Sequence, residues 1–149
     1  MTKLFEVSEI LVSYKPKVGR KPIIASSLDA YNTLLPFYSS ETIALQEQFI
    51  VLYLNRSNRV LGGYKMSIGG ITGTVADIRI LLSVALQTAA VGIILSHNHP
   101  SGNLKPSRTD EELTANIKNA AKFMEVKVLD HIIFGQDNDY FSFADENIL

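Results

Sequence analysis

The chain contains no cysteine. That absence excludes disulfides, thiolate nucleophiles and iron–sulfur clusters. It also excludes the Cys-rich ligand sets that most structural zinc sites use. Any zinc bound here must take nitrogen and oxygen donors, the set typical of catalytic sites with an open position. Charge of one sign is lacking too. The chain has 14 Lys and Arg against 15 Asp and Glu, a formal net charge of −1. The chain as a whole therefore has no electrostatic bias toward nucleic acid or membrane. No apolar run approaches the roughly 18–20 residues that span a bilayer. The opening stretch MTKLFEVSEILVSYKP has no basic region, no uninterrupted apolar segment and no small-residue cleavage site. A cytoplasmic location without membrane contact is expected. Internal repeats and low-complexity segments are also absent.

What is present describes one globular domain. The 149 residues are 46% hydrophobic and 19% charged, enough apolar side chain for a real core and too much for disorder. The first 40 residues read as an appendage, with a strand-like run over 5–14, a basic turn-rich loop over 15–22 and a Ser-capped helix over 26–38. Lys15, Lys17, Arg20 and Lys21 in that loop read as a solvated connector that can also meet phosphate.

From residue 41 the pattern alternates. EQFIVLYLN (47–55) reads as a buried strand, NRSN (55–58) as a turn and RVLGGYKMSIGG (59–70) as the returning hairpin strand. TGTVADIRILLSVALQTAA (72–90) changes to helical period, with Val75, Ile78, Leu81, Leu82, Ala85 and Leu86 on one face. VGIILS (91–96) is short and continuously apolar, as a strand covered on both faces is. SRTDEELTANIKNAAKFM (107–124) reads as a helix with Ser107 as its cap. Its expected core face is Leu113, Ile117, Ala120, Ala121 and Met124. VKVLDHIIFG (126–135) and DYFSF (139–143) close the chain as strands. Helices falling between strands predict an α/β or α+β domain.

The chemistry concentrates in SHNHPSGNLKPSRTD, residues 96–110. Residues i and i+2 on a strand share a face, so His97 and His99 can converge on one ion at about 2.0–2.1 Å per bond. The PSG turn and the helix that follows bring first-turn carboxylates back toward the strand end, Asp110 best placed among them. Two His and one Asp leave a fourth position for water, whose pKa zinc lowers to about 7. Ser107 can supply a hydroxyl donor, and Glu47 is the acid chosen as general base, although spacing alone does not identify it. Plainer readings stand beside these. H-x-H is commonly a pair of loop histidines, and S-x-x-D is commonly a helix cap with a reciprocal N3 acid. Glu47 also fits a solvated strand-end charge. Glu111 and Glu112 read as acids favoured by the helix dipole. His131, in LDHII, reads as a satisfied core histidine.

Taken together, His97-x-His99, seven residues, Ser107, two residues and Asp110, with a Glu upstream, resemble the signature of the JAMM (JAB/MPN) metalloprotease family. HNHPSGN, PSRTDEELT and VKVLDHIIFG…YFSFAD are similar to its bacterial RadC-like JAB branch, over about residues 41–149. The resemblance implies that His97, His99 and Asp110 bind Zn²⁺, that Glu47 shuttles the proton of a metal-activated water, and that Ser107 stabilises the tetrahedral intermediate. Glu41, six residues before Glu47, stays open for the same role. The implied fold is the JAMM α/β sandwich, a curled mixed sheet flanked by helices and related to cytidine deaminases. Deaminase chemistry itself needs H-x-E and P-C-x-x-C, which a chain without cysteine does not carry.

The implied function is a zinc metallopeptidase or isopeptidase acting on a peptide or a protein conjugate. The alternative is a DNA-repair-associated accessory protein whose metal site is not used for peptide hydrolysis. Proteins of this branch resemble a two-part architecture with a helix–hairpin–helix DNA-binding region ahead of the JAB domain. The residues before 41 show no paired hairpin-glycine pattern, so DNA is the lesser expectation. A third reading, a silent interaction domain, does not explain why every ligand type is retained.

Overall fold

The structure is a computed structural model that describes residues 6–69 and 76–149. It is a mixed five-stranded sheet with three α-helices. The elements run α1 (Ser27–Leu34), β1 (Gln48–Leu54), β2 (Val60–Ile68), α2 (Ile78–Gln87), β3 (Gly92–Asn98), α3 (Arg108–Phe123), β4 (Lys127–Phe134) and β5 (Tyr140–Ser142). Strand order is β2-β1-β3-β4-β5. Among the described residues only β3 and β4 are parallel, and α3 makes the crossover between them.

All seven residues of β1 and all seven of β3 are buried, because helices cover both faces of the sheet centre. On one face Phe49, Val51, Tyr53, Ile93, Leu95 and Val128 pack with Leu81, Leu82 and Ala85 of α2 and Ile117 and Ala121 of α3. On the other, Ile50, Leu52, Leu54, Ile94, Ile132 and Phe134 pack with Ala30, Tyr31 and Leu34 of α1. The helix inside the stretch read as an appendage is therefore part of the core.

Three expectations need correction. Residues 6–22 form neither helix nor strand, and Val7, Ile10 and Leu11 are 81–88% exposed. A strand exists only against a neighbour's N–H and C=O groups, and no strand pairs with residues 6–14 among the described residues. α2 begins at Ile78 because the Asp77 carboxylate accepts the N–H groups of Arg79 and Ile80, the bond that starts a helix. Gly70 of the predicted strand and Thr72–Val75 of the predicted helix lie outside the described residues. On α3, Met124 is the C-cap and 47% exposed, while Thr114 is buried beside Ile117 and Ala121.

No helix among the described residues is long and apolar enough to cross a membrane.

Candidate metal centre

Sheet register assembles the site. β1 runs antiparallel to β3 with Phe49 opposite His97, so Glu47, two residues before Phe49, lies beside the C-terminal end of β3. Strand alternation places residues 47, 49, 97 and 99 on the face that α3 covers. α3 then starts beside that strand end. Ser107 accepts the Asp110 N–H at 3.0 Å, and the Asp110 carboxylate accepts the Ser107 N–H at 2.8 Å, a reciprocal capping box. The cap thus holds the carboxylate that faces the histidines. Ser107→Ala is expected to cost about 1 kcal/mol, read as a lower urea midpoint at unchanged m. An unchanged midpoint would show that the cap contributes nothing.

The four side chains meet. Ligand atoms of Glu47, His97, His99 and Asp110 all lie within 4.8 Å of one another. His97 Nε2 is 2.9 Å from His99 Nε2, 3.4 Å from Asp110 Oδ1 and 3.9 Å from Glu47 Oε1. His99 Nε2 is 3.2 Å from Asp110 Oδ2. His97 is 2% exposed, whereas Glu47, His99 and Asp110 are 14–18% exposed, so the cluster opens to solvent on their side.

The loop between strand and helix sets the second histidine. Gly102 N–H closes a turn onto His99 C=O at 2.9 Å, with Pro100 at its second position and Gly102 at φ +81°. Asn103 C=O then lies 2.5 Å from His99 Nδ1. A carbonyl only accepts, so Nδ1 carries the hydrogen and a neutral His99 turns a bare Nε2 toward the carboxylates. Two imidazole nitrogens and two carboxylates converging without a thiolate form a donor set that could hold a divalent metal.

Electrostatics agree with convergence. Burial raises the Glu47 carboxyl above its ordinary value; the neighbouring Asp110 adds to the rise, and His97 and His99 oppose it. Burial also acts to raise Asp110, but its contacts with His97 and His99 and the Ser107 N–H hold it far below the usual carboxylate range. For His99, burial lowers the pKa, yet the Asp110 and Asn103 contacts raise it overall.

The sequence-predicted residues separate clearly. Glu47, His97, His99 and Asp110 are brought together, and Ser107 sits next to them as the cap. Glu41 is exposed and outside the group. Lys15, Lys17 and Arg20 are exposed on their loop. His131 is fully buried, as a core histidine should be, but its Nε2 lies 2.7 Å from His97 Nδ1. Asn98 was not singled out. Its side chain accepts the Gln48 N–H at 2.7 Å and donates to Ile43 C=O at 2.7 Å and Gln46 C=O at 2.8 Å, tying down the loop that carries Glu47. The signal was available: a polar residue between two same-face histidines points to the opposite face, where it needs partners.

Residues 24–148 match the family described as the RadC-like JAB domain. A UPF0758 protein of Flavobacterium johnsoniae is 43% identical over 125 residues, covering 84% of this chain and 53% of that protein. A UPF0758 protein of Porphyromonas gingivalis is 42% identical over 133 residues, covering 89% and 57%. One of Streptococcus gordonii is 41% identical over 104 residues, covering 70% and 46%. The chain spans about half the length of these curated relatives.

Proposed function

The chain belongs to the RadC-like JAB domain family, and from that membership and the site's geometry we propose a zinc-dependent hydrolase of peptide or isopeptide bonds. The observation that carries the proposal is the convergence of Glu47, His97, His99 and Asp110 at the end of β3. His97, His99 and Asp110 would hold the metal. A divalent zinc so held supplies Lewis acidity, lowering the pKa of a coordinated water to about 7.

The chain's own groups do the rest. Glu47 is partly buried, and its carboxyl is raised by that burial, so it is suited to take a proton at Oε1 and return it to a leaving amine. The Ser107 hydroxyl accepts the Asp110 N–H, and its own hydrogen has no partner among the described residues. It is free to donate to a developing oxyanion. Asp110 stays ionised beside the two histidines and the Ser107 N–H, which suits a ligand rather than a base.

The test pairs metal dependence with hydrolysis. Zinc-loaded protein should cleave members of a peptide and isopeptide-conjugate panel, lose that activity to a chelator and regain it on zinc addition. Zinc-loaded protein that is inert on every member sinks the peptidase reading. A second reading, a DNA-associated accessory role, draws on the family's name and the exposed Lys15, Lys17 and Arg20. It requires salt-sensitive DNA binding that disappears when those residues and Lys21 are neutralised.

A further inference from the structure

Behind the cluster lies a line of hydrogen bonds that no metal ligand accounts for. The Thr114 hydroxyl donates to Asp110 C=O at 2.7 Å, and the same oxygen lies 2.7 Å from His131 Nδ1. His131 Nε2 in turn lies 2.7 Å from His97 Nδ1. Thr114 is 3% exposed, His131 0% and His97 2%, so no solvent exchange relaxes these contacts.

Donor counting orders the protons. A hydroxyl has one hydrogen, and a carbonyl can only accept. The Thr114 hydrogen is therefore committed to Asp110 C=O, and Thr114 Oγ1 must accept from His131 Nδ1–H. A neutral imidazole with its hydrogen on Nδ1 has a bare Nε2. His131 Nε2 then accepts from His97 Nδ1–H. That leaves His97 Nε2 without a hydrogen, aimed at His99 Nε2 and Asp110.

The alternative, a charged His131 donating from both nitrogens, would bury a cation whose ring partners are a hydroxyl, a neutral imidazole and the Phe49 and Phe143 rings. No carboxylate hydrogen-bonds that ring among the described residues. An uncompensated buried charge is costly.

We propose that Thr114 and His131 are positioning residues that set the tautomer of His97, so that its Nε2 lone pair faces the metal position. The inference rests on the zinc reading of the cluster for its purpose and on hydrogen-bond geometry for its content. Asp110 C=O, on the residue whose side chain faces both ligand histidines, fixes the Thr114 hydrogen and so starts the chain. One residue of α3 thereby contributes a carboxylate in front of His97 and orders the proton behind it.

The test uses the full chain, without metal and with Zn²⁺. Long-range proton–nitrogen NMR of the metal-free wild type should show His131 and His97 as Nδ1–H tautomers. Thr114→Val removes the acceptor of His131 Nδ1–H at nearly the same volume. It should disturb both tautomers and weaken Zn²⁺ binding by roughly 10- to 100-fold in competition with a chromophoric chelator. Thr114→Ser keeps the hydroxyl and should restore both readouts, which simple loss of packing at the methyl would not allow. An Nε2–H tautomer on His131 in the wild type overturns the relay, as does wild-type zinc affinity in Thr114→Val. Wild-type protein that takes up no Zn²⁺ but shows both Nδ1–H tautomers removes the zinc reading and leaves the relay standing. If Thr114→Val does not fold, the wild-type spectrum and Thr114→Ser still decide.

Discussion

Replacing His99 with alanine is expected to abolish tight zinc binding, with affinity falling by more than the roughly 100-fold typical of losing an outer-shell partner. His99 is held from behind by Asn103 C=O at 2.5 Å, and its Nε2 faces His97 and Asp110 at 2.9 and 3.2 Å. Removing it leaves His97 and Asp110 as the remaining ligands, too few for a closed three-ligand set. The fold should survive, because His99 lies just beyond β3 and is partly exposed, outside both apolar clusters. Metal content of purified protein reads the first effect. Thermal stability reads it again: ligand at about 100 times its Kd raises wild-type stability by about 2.7 kcal/mol, and the variant should gain almost nothing. A His99→Ala protein that keeps stoichiometric zinc would falsify the ligand assignment.

Glu47→Gln should separate binding from chemistry. Glu47 Oε1 stands 3.9 Å from His97 Nε2, farther than either Asp110 oxygen from its histidine, so the carboxylate flanks the ligands. The amide keeps the shape of the side chain but cannot take up a proton at neutral pH. Zinc should therefore stay bound while hydrolysis falls by about 10²–10⁴-fold, the usual share of a general base. Glu41→Gln, at an exposed position outside the group, is the matched control and should leave hydrolysis unchanged. Full activity of Glu47→Gln on a confirmed substrate removes Glu47 as the proton carrier. If the variant behaves as expected, it also serves as a trap, holding substrate without turning it over.

Local chemistry was readable where the structure depends on neighbours in sequence. The reciprocal bonds between Ser107 and Asp110 span three residues, so the S-x-x-D spacing reported them directly. The apolar runs of β1 and β3 reported burial on both faces, and the i, i+2 spacing put His97 and His99 on one side. The same reasoning failed at the N-terminus. The run over 5–14 has strand-like side chains, but among the described residues no backbone ladder joins 6–14 to a strand. Side-chain preference without a partner leaves the backbone groups to water. The expected face of α3 was also slightly misread. Apolarity alone favoured Met124, whereas the buried position belongs to Thr114, whose hydroxyl is satisfied by Asp110 C=O and His131.

The sequence by itself determined the α/β class, the N and O character of any metal site, and three of the four converging side chains. Those properties follow from composition, period and caps, which act over a few residues. Only the tertiary structure decided between Glu41 and Glu47 as the fourth member of the cluster, because that depends on Phe49 pairing with His97 across 48 residues of chain. It alone turned His131 from a core histidine into the partner of His97, since the contact joins parallel neighbours on either side of a helical crossover. Contacts of that range are set by strand register and helix docking, which no local pattern of residues encodes.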